Sequence, residues 1–297
     1  MAGKGRNCVP CALRQKVRAG LWQETISRFG ENSMAMVGFY VIAAVAIVAI
    51  FAPLISFHDP YEINLRQRLL LPSGAHILGT DAFGRDMLSR IIYGARISLL
   101  VGLIPSFISM GIGSAVGVTS GYLGGKVDFI LMRVADIVIA FPSLLLAMVI
   151  MYTLGAGLSN IFIALSFVGW AEAARVVRSQ VLSLREQEFV EAAKAMGVRR
   201  RAIMARHIFP NCLPSLVVLF TLKVPEFILA EASLSFLGVG AQPPVPSWGL
   251  LVSQGKEFIF SAPWVVAFPG GAIFLVALAF NFVGDGLREA LDPYLKR

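Results

Sequence analysis

The stretch from Met34 to Ile55 contains no charged side chain, and five further apolar runs follow it along the chain. A helix rises 1.5 Å per residue, so crossing about 30 Å of hydrocarbon takes roughly 20 apolar residues. Runs of that length predict spans at 34–55, 97–118, 130–154, 158–176, 210–236 and 263–284. The first run is too long for a signal-peptide core, and no small-residue cleavage pattern stands out after it, so it reads as a retained first span. Composition agrees. Hydrophobic residues make up 57% of the chain and charged residues 15%, against about 25% charged in a typical soluble domain. The predicted class is an all-α membrane protein with six transmembrane helices.

The loops set the expected orientation. Eighteen of the 26 Lys and Arg fall in the tail 1–33, the loop near 119–129, the loop 177–209 with its lead-in from Glu172, and the tail after 284; six fall in the opposite loops. Basic residues collect on the cytoplasmic side of membrane proteins, so both termini are expected there. The same bias accounts for the net charge of +8 without invoking nucleic acid. The expected organisation is a tail at 1–33, a first helix and external loop at 34–96, a five-helix core at 97–284, and a tail at 285–297.

Pro105, Pro142, Pro225 and Pro269 lie in or beside spans, where each removes a helix hydrogen bond and permits a kink. Gly113, Gly117 and Gly121 repeat every four residues, a spacing that lets another helix approach closely. The spacing does not say whether that helix belongs to this chain or to another subunit. Cys8 and Cys11 form a single C-x-x-C in the tail, read as reduced thiols rather than a metal site.

The most informative stretch is the loop 177–209. Phe189, Ala192, Ala193 and Met196 share one face of a short amphipathic helix at i, i+3, i+4, i+7 spacing. Glu191 stands beside that face, Gly197 ends the helix, and Arg199, Arg200 and Arg201 form a cationic shoulder. Pro210 reads as the first turn of the next span. A low apolar face with charges beside it suits a groove in another protein or an anionic lipid surface.

Glu191-Ala192-Ala193, then Gly197, then Phe209-Pro210 resembles the EAA loop of binding-protein-dependent ABC importer permeases, E-A-A-x-x-x-G, nine residues, then I-x-L-P. This chain has His207 and Phe209 where that form has Ile and Leu. The version His207-Ile208-Phe209-Pro210-Asn211 is similar to that of dipeptide and oligopeptide permeases. His76–Leu99 resembles the segment before the second span of the C-type permease in those systems. Gly238–Gly249 resembles its external loop before the last span, and Asn281–Pro293 its ending. Together the likeness covers roughly residues 30–295. It implies the type I importer permease fold with a cytoplasmic coupling helix, in which Phe189, Glu191, Ala192, Ala193, Met196 and Gly197 meet an ATPase subunit. It also implies a multi-pass protein of the bacterial inner membrane. The partners implied are a second homologous permease, two ATPase subunits that bind ATP and Mg, and a periplasmic substrate-binding protein. Dipeptides or oligopeptides are the implied cargo, with nickel, glutathione or another small solute as the alternative.

Four charges fall within spans: Asp136 in the third, and Lys223, Glu226 and Glu231 in the fifth. Lys223 and Glu226 are i, i+3 neighbours and can pair. They are expected either to line the translocation pathway or to form a structural ion pair, because an unpaired charge at this depth costs a few kcal/mol or more.

No nucleotide-binding loop is present. The nearest approach, Gly124-Gly125-Lys126-Val127, has serine at position 120 and no hydroxyl after the lysine, so it lacks parts that a phosphate cradle and its Mg²⁺ need. ATP hydrolysis is therefore expected on other subunits, and no cofactor on this chain. Neither G-x-S-x-G nor H-E-x-x-H occurs, and His58, His76 and His207 are scattered, so no catalytic metal is expected. A self-sufficient secondary transporter or channel is the contrasting reading; it needs an ion-coupling site of its own. A membrane enzyme lacks a catalytic constellation.

Overall fold

The computed structural model describes residues 25–291; Cys8 and Cys11 lie outside them. The principal helices are α1 (Ser33–Ile50), α2 (Met87–Leu123), α3 (Gly125–Ala140), α4 (Ser143–Leu154), α5 (Leu158–Leu184), α6 (Glu188–Ala195), α7 (Phe209–Phe236), α8 (Trp248–Gly255) and α9 (Trp264–Leu291). There is no β-sheet among the described residues. Helices α1, α2, α5, α7 (prolonged back to Arg200) and α9 are long and apolar enough to cross a bilayer. Helices α3 and α4 pass the same test only as a pair, bent by 90°.

That pair replaces the straight span expected at 130–154. Pro142 stands at the break and caps α4, and Phe141 and Pro142 take extended backbone. A residue before proline is pushed out of the helical region, so the chain turns here. Pro105, Pro225 and Pro269 instead remain inside continuous helices.

The boundary expected at Pro210 is also different. The helix that begins at Arg200 continues through a π-helical turn, Met204–Ile208, into α7. Pro210 has no N–H, which interrupts the regular ladder; the Phe209 N–H reaches the Met204 carbonyl, and Asn211 Nδ2 donates to the His207 carbonyl at 2.5 Å. Such wide turns let a helix pass a defect without ending.

The glycine stripe packs within the chain. It lies between α2 and α5: a methyl group placed on Gly113 would sit 2.7 Å from the Trp170 carbonyl oxygen, and one on Gly117 would sit 2.6 Å from that of Ala174. On Gly121 it would meet Val181 Cβ at 2.8 Å. Gly111, on the same helix, has nothing within 4 Å of such a methyl. Gly117→Ala is therefore expected to destabilise the protein by about 1–3 kcal/mol through overpacking, while Gly111→Ala costs nothing. Thermal unfolding in detergent checks the contrast; equal midpoints for the two variants would contradict this packing.

Helix α1 packs mainly on α9. Asn32 accepts from the Ala35 N–H at 3.0 Å, capping α1, and its amide donates to Glu289 at 2.8 Å. Its remaining faces leave Phe39, Tyr40, Ile47 and Ile50 exposed, as suits a surface solvated by lipid. The start of α1, the end of α9, the ends of α2 and α5, and α6 thus share one end of the bundle. The loop 56–86, α8 and the start of α9 occupy the other.

Candidate functional sites

Helix α6 stands on the end of the bundle like a foot. Val190 and Ala193 are fully buried in a cluster with Val177 and Val181 of α5, Ile203 and Ile208, Cys212 and Leu216 of α7, and Val118 of α2. The four-residue face expected from spacing therefore divides. Ala193 turns inward beside Val190, and Phe189, Ala192 and Met196 stay exposed, Met196 by 75%. Eight residues make barely two turns, so the pattern alone fixes the apolar face poorly.

The helix closes with a Schellman motif. The Val198 N–H donates to the Ala193 carbonyl at 3.1 Å and the Gly197 N–H to that of Lys194 at 3.0 Å. Gly197 carries the left-handed φ of +74° that this motif requires, and Val198 packs on the same cluster as Ala193. Glu188 and Glu191 in the first turn suit the positive end of the helix dipole. Arg199, Arg200 and Arg201 follow, all exposed. The result is a rigidly mounted helix with an unfilled apolar outer stripe.

At mid-bundle, Lys223 Nζ lies 2.6 Å from Glu226 and 2.5 Å from Glu172 of α5. The i, i+3 pair is thus a triad that crosslinks α5 and α7. Lys223 is 5% exposed in its side chain, whereas Glu172 and Glu226 are 59% and 50% exposed. Asp136 stands apart from it, bound to Arg175 of α5 at 2.7 Å and 4.0 Å from Arg133. Half-exposed carboxylates at membrane depth are costly against hydrocarbon; this face of α5 and α7 belongs against water or another subunit. Glu231 is different. It is fully buried, and accepts from Ser235 Oγ at 2.7 Å and Ser247 Oγ at 2.8 Å, fastening the 238–247 loop to α7.

The loop end holds polar chemistry that spacing did not single out. Asp81 binds Arg85 Nε at 2.7 Å and lies 3.6 Å from Arg90 Nε; Gln254 of α8 accepts from both arginines at 3.2 Å. Asp86 caps α2 by accepting from the Ser89 N–H at 2.8 Å, a role readable from an aspartate ahead of a helical run. The reading of the histidines as scattered is corrected here: the irregular loop folds back, and the His58 and His76 rings lie 4.9 Å apart beside Asp86. His207 stays at the other end. Glu172, by position only the lead-in to the basic loop, is likewise drawn into the triad by the fold.

Comparison with known proteins agrees with this architecture. Residues 113–297 match the family described as binding-protein-dependent transport system inner membrane component, and residues 20–72 match the N-terminal TM domain of oligopeptide transport permease C. The dipeptide transport system permease protein DppC of Alkalihalophilus pseudofirmus is 46% identical over 275 residues, 93% of this chain and 90% of that one. The oligopeptide transport system permease protein OppC of Bacillus subtilis is 43% identical over 95% of this chain and 92% of its own length. The glutathione transport system permease protein GsiD of Escherichia coli is 41% identical, covering 98% and 96% respectively.

Proposed function

This chain belongs to the family of binding-protein-dependent transport system inner membrane components, and from that membership we propose that it is one permease subunit of an ATP-driven importer of dipeptides or oligopeptides. It pairs with a second, similar permease in a bacterial inner membrane, with both termini in the cytoplasm. Two ATPase subunits bind ATP and Mg and supply the work; a periplasmic binding protein delivers the cargo. Glutathione, itself a tripeptide, falls within the same substrate chemistry.

The observation that carries this reading is the mounting of α6. Its inner residues are locked into α2, α5 and α7, while Phe189, Ala192 and Met196 are left for a partner's groove. A displacement of the foot therefore moves three membrane helices together. Tight interiors transmit such motion because they are packed to near-crystalline density. When ATP closes the ATPase pair, α6 is driven sideways, the bundles rock, and the cavity opens toward the binding protein; hydrolysis resets it.

Lys223, Glu226 and Glu172 line that cavity, with Asp136 and Arg175 farther along it. Their alternation of cation and carboxylates matches the charged termini of a short peptide. Glu231 holds the wall of the cavity in place.

The test is uptake of a radiolabelled dipeptide into proteoliposomes containing the complex captured through this chain. Uptake is expected only with ATP inside and the binding protein outside. Uptake by this chain alone, driven by an ion gradient, would replace the proposal with a secondary transporter. In the working complex, Lys223→Met with Glu226→Gln is expected to raise the KM for dipeptide about tenfold, the equivalent of one charge-assisted hydrogen bond. An unchanged KM and substrate range would remove these residues from the pathway.

A further inference from the structure

We propose that His58, His76 and Asp86 form a binding site for a borderline divalent transition ion such as Zn²⁺ at the loop end of the bundle. The irregular loop between the first span and α2 folds back to bring these groups together, His76 and Asp86 being ten residues apart. His58 follows the first span, His76 lies in the loop before α2, and Asp86 is the N-cap of α2. The ligand atoms all lie within 4.8 Å of one another. Both imidazole Nδ1 atoms face the same carboxylate oxygen, His76 at 3.0 Å and His58 at 3.9 Å.

Those separations suit a tetrahedral ion. With bonds of about 2.0–2.2 Å to nitrogen and carboxylate oxygen, two ligands of a zinc ion stand roughly 3.4 Å apart, and the observed pair brackets that value. Small rotations of the exposed His58 ring close the difference. Two imidazoles and one carboxylate are also a donor set of the right hardness for zinc, cobalt or nickel rather than calcium or magnesium.

The site has the support and access that metal sites need. The other oxygen of Asp86 accepts from the Ser89 N–H at 2.8 Å, so the carboxylate is already oriented. His76 and Asp86 are buried, while the His58 side chain is 42% exposed. A cavity of about 340 Å³, lined in part by His58, Asp86, Ala75 and Leu88, opens beside the cluster. It provides an entry path and room for a water in the fourth position. A bound ion ties the segment after the first span to the cap of α2. This assignment is independent of the transport proposal, because it concerns binding by the chain itself.

The experiment is Co²⁺ and Zn²⁺ titration of the full-length chain in detergent, freed of any polyhistidine tag. Cys8 and Cys11 are replaced by serine so that the tail thiols cannot report. One Co²⁺ per chain is expected, with a visible ligand-field band that Zn²⁺ abolishes by competition. His58→Ala, a change at an exposed side chain, is expected to weaken binding at least tenfold while the metal-free melting temperature stays the same. Asp86→Asn keeps an oxygen for the helix cap and removes the charged ligand, and is also expected to weaken binding at least tenfold. His207→Ala is expected to leave binding unchanged. Absence of stoichiometric binding, equal affinity in His58→Ala and its parent, or loss of binding in His207→Ala overturns the site.

Discussion

Valine at position 197 is expected to leave the protein inserted in the membrane and to bring ATP hydrolysis by the complex down to its level without cargo-loaded binding protein. The cause lies in the backbone. Gly197 sits at φ +74°, and a methyl group there would meet nothing within 4 Å, so no clash contributes. For an L-residue the left-handed region costs about 1–2 kcal/mol, and a branched Cβ raises that further. The chain escapes by unwinding the Schellman turn, which frees the Ala193 and Lys194 carbonyls and re-aims α6. Asparagine, the commonest substitute at such caps, is expected to restore part of the stimulation. Glu191→Arg tests the outer face separately. Removing a carboxylate from the first turn costs the helix about 0.3–1 kcal/mol through its dipole, too little to unfold a foot anchored by Val190 and Ala193. Its effect on coupling must then arise at the partner surface. Stimulation of hydrolysis by peptide-loaded binding protein, measured in proteoliposomes, decides both. Full stimulation in Gly197→Val and in Glu191→Arg together would detach α6 from the ATPase.

The parts of this fold legible in the sequence are those governed by local chemistry. A charge-free run such as Met34–Ile55 announces a membrane helix because the bilayer demands about 20 apolar residues in a row. Gly197 announces a helix end because few other residues accept its backbone angle. Other features depended on contacts that spacing does not encode. The expected span 97–118 grew into α2 at Met87–Leu123. Its first turns carry Arg90, whose charge hydropathy counts against a helix but whose partners, Asp81, Gln254 and the Pro60 carbonyl, all come from outside the helix. Likewise the interval of Gly113, Gly117 and Gly121 identifies a close-packing face, yet only the fold names α5 as its occupant.

The candidate sites divide on the same line. The Lys223–Glu226 pair was readable as i, i+3 neighbours on one helix. Glu172 was not, because it reaches Lys223 across 51 residues of chain. The His58–His76–Asp86 cluster is the extreme case. Its members sit in or against an irregular loop, where neither a 3.6-residue nor a two-residue period relates position to direction.

Asp81→Ala is expected to be among the most destabilising single changes at the loop end, by about 3–5 kcal/mol, because it strands two buried cations. The side chains of Arg85 and Arg90 are 7% and 1% exposed, and Asp81 is the carboxylate that faces both. It also accepts from the backbone N–H groups of Phe83 at 2.8 Å and Arg85 at 3.0 Å, holding the turn that leads into the α2 cap. Gln254 remains to accept from the two guanidiniums, but a neutral amide does not compensate their charge. Asp81→Asn separates the two contributions: it keeps an oxygen for the turn but puts an NH2 donor where Oδ2 accepts from Arg85, and so should recover only the turn's part of the loss. Asp59→Ala supplies the contrast, since that exposed carboxylate accepts one backbone N–H, from Tyr61, and surface changes of this kind stay near or below about 1 kcal/mol. The measurement is the thermal unfolding midpoint of each variant in one detergent, alongside its yield in the membrane. A midpoint for Asp81→Ala as high as that for Asp59→Ala would mean that the arginines find other compensation, and that this cluster does not hold the outer segment to the bundle.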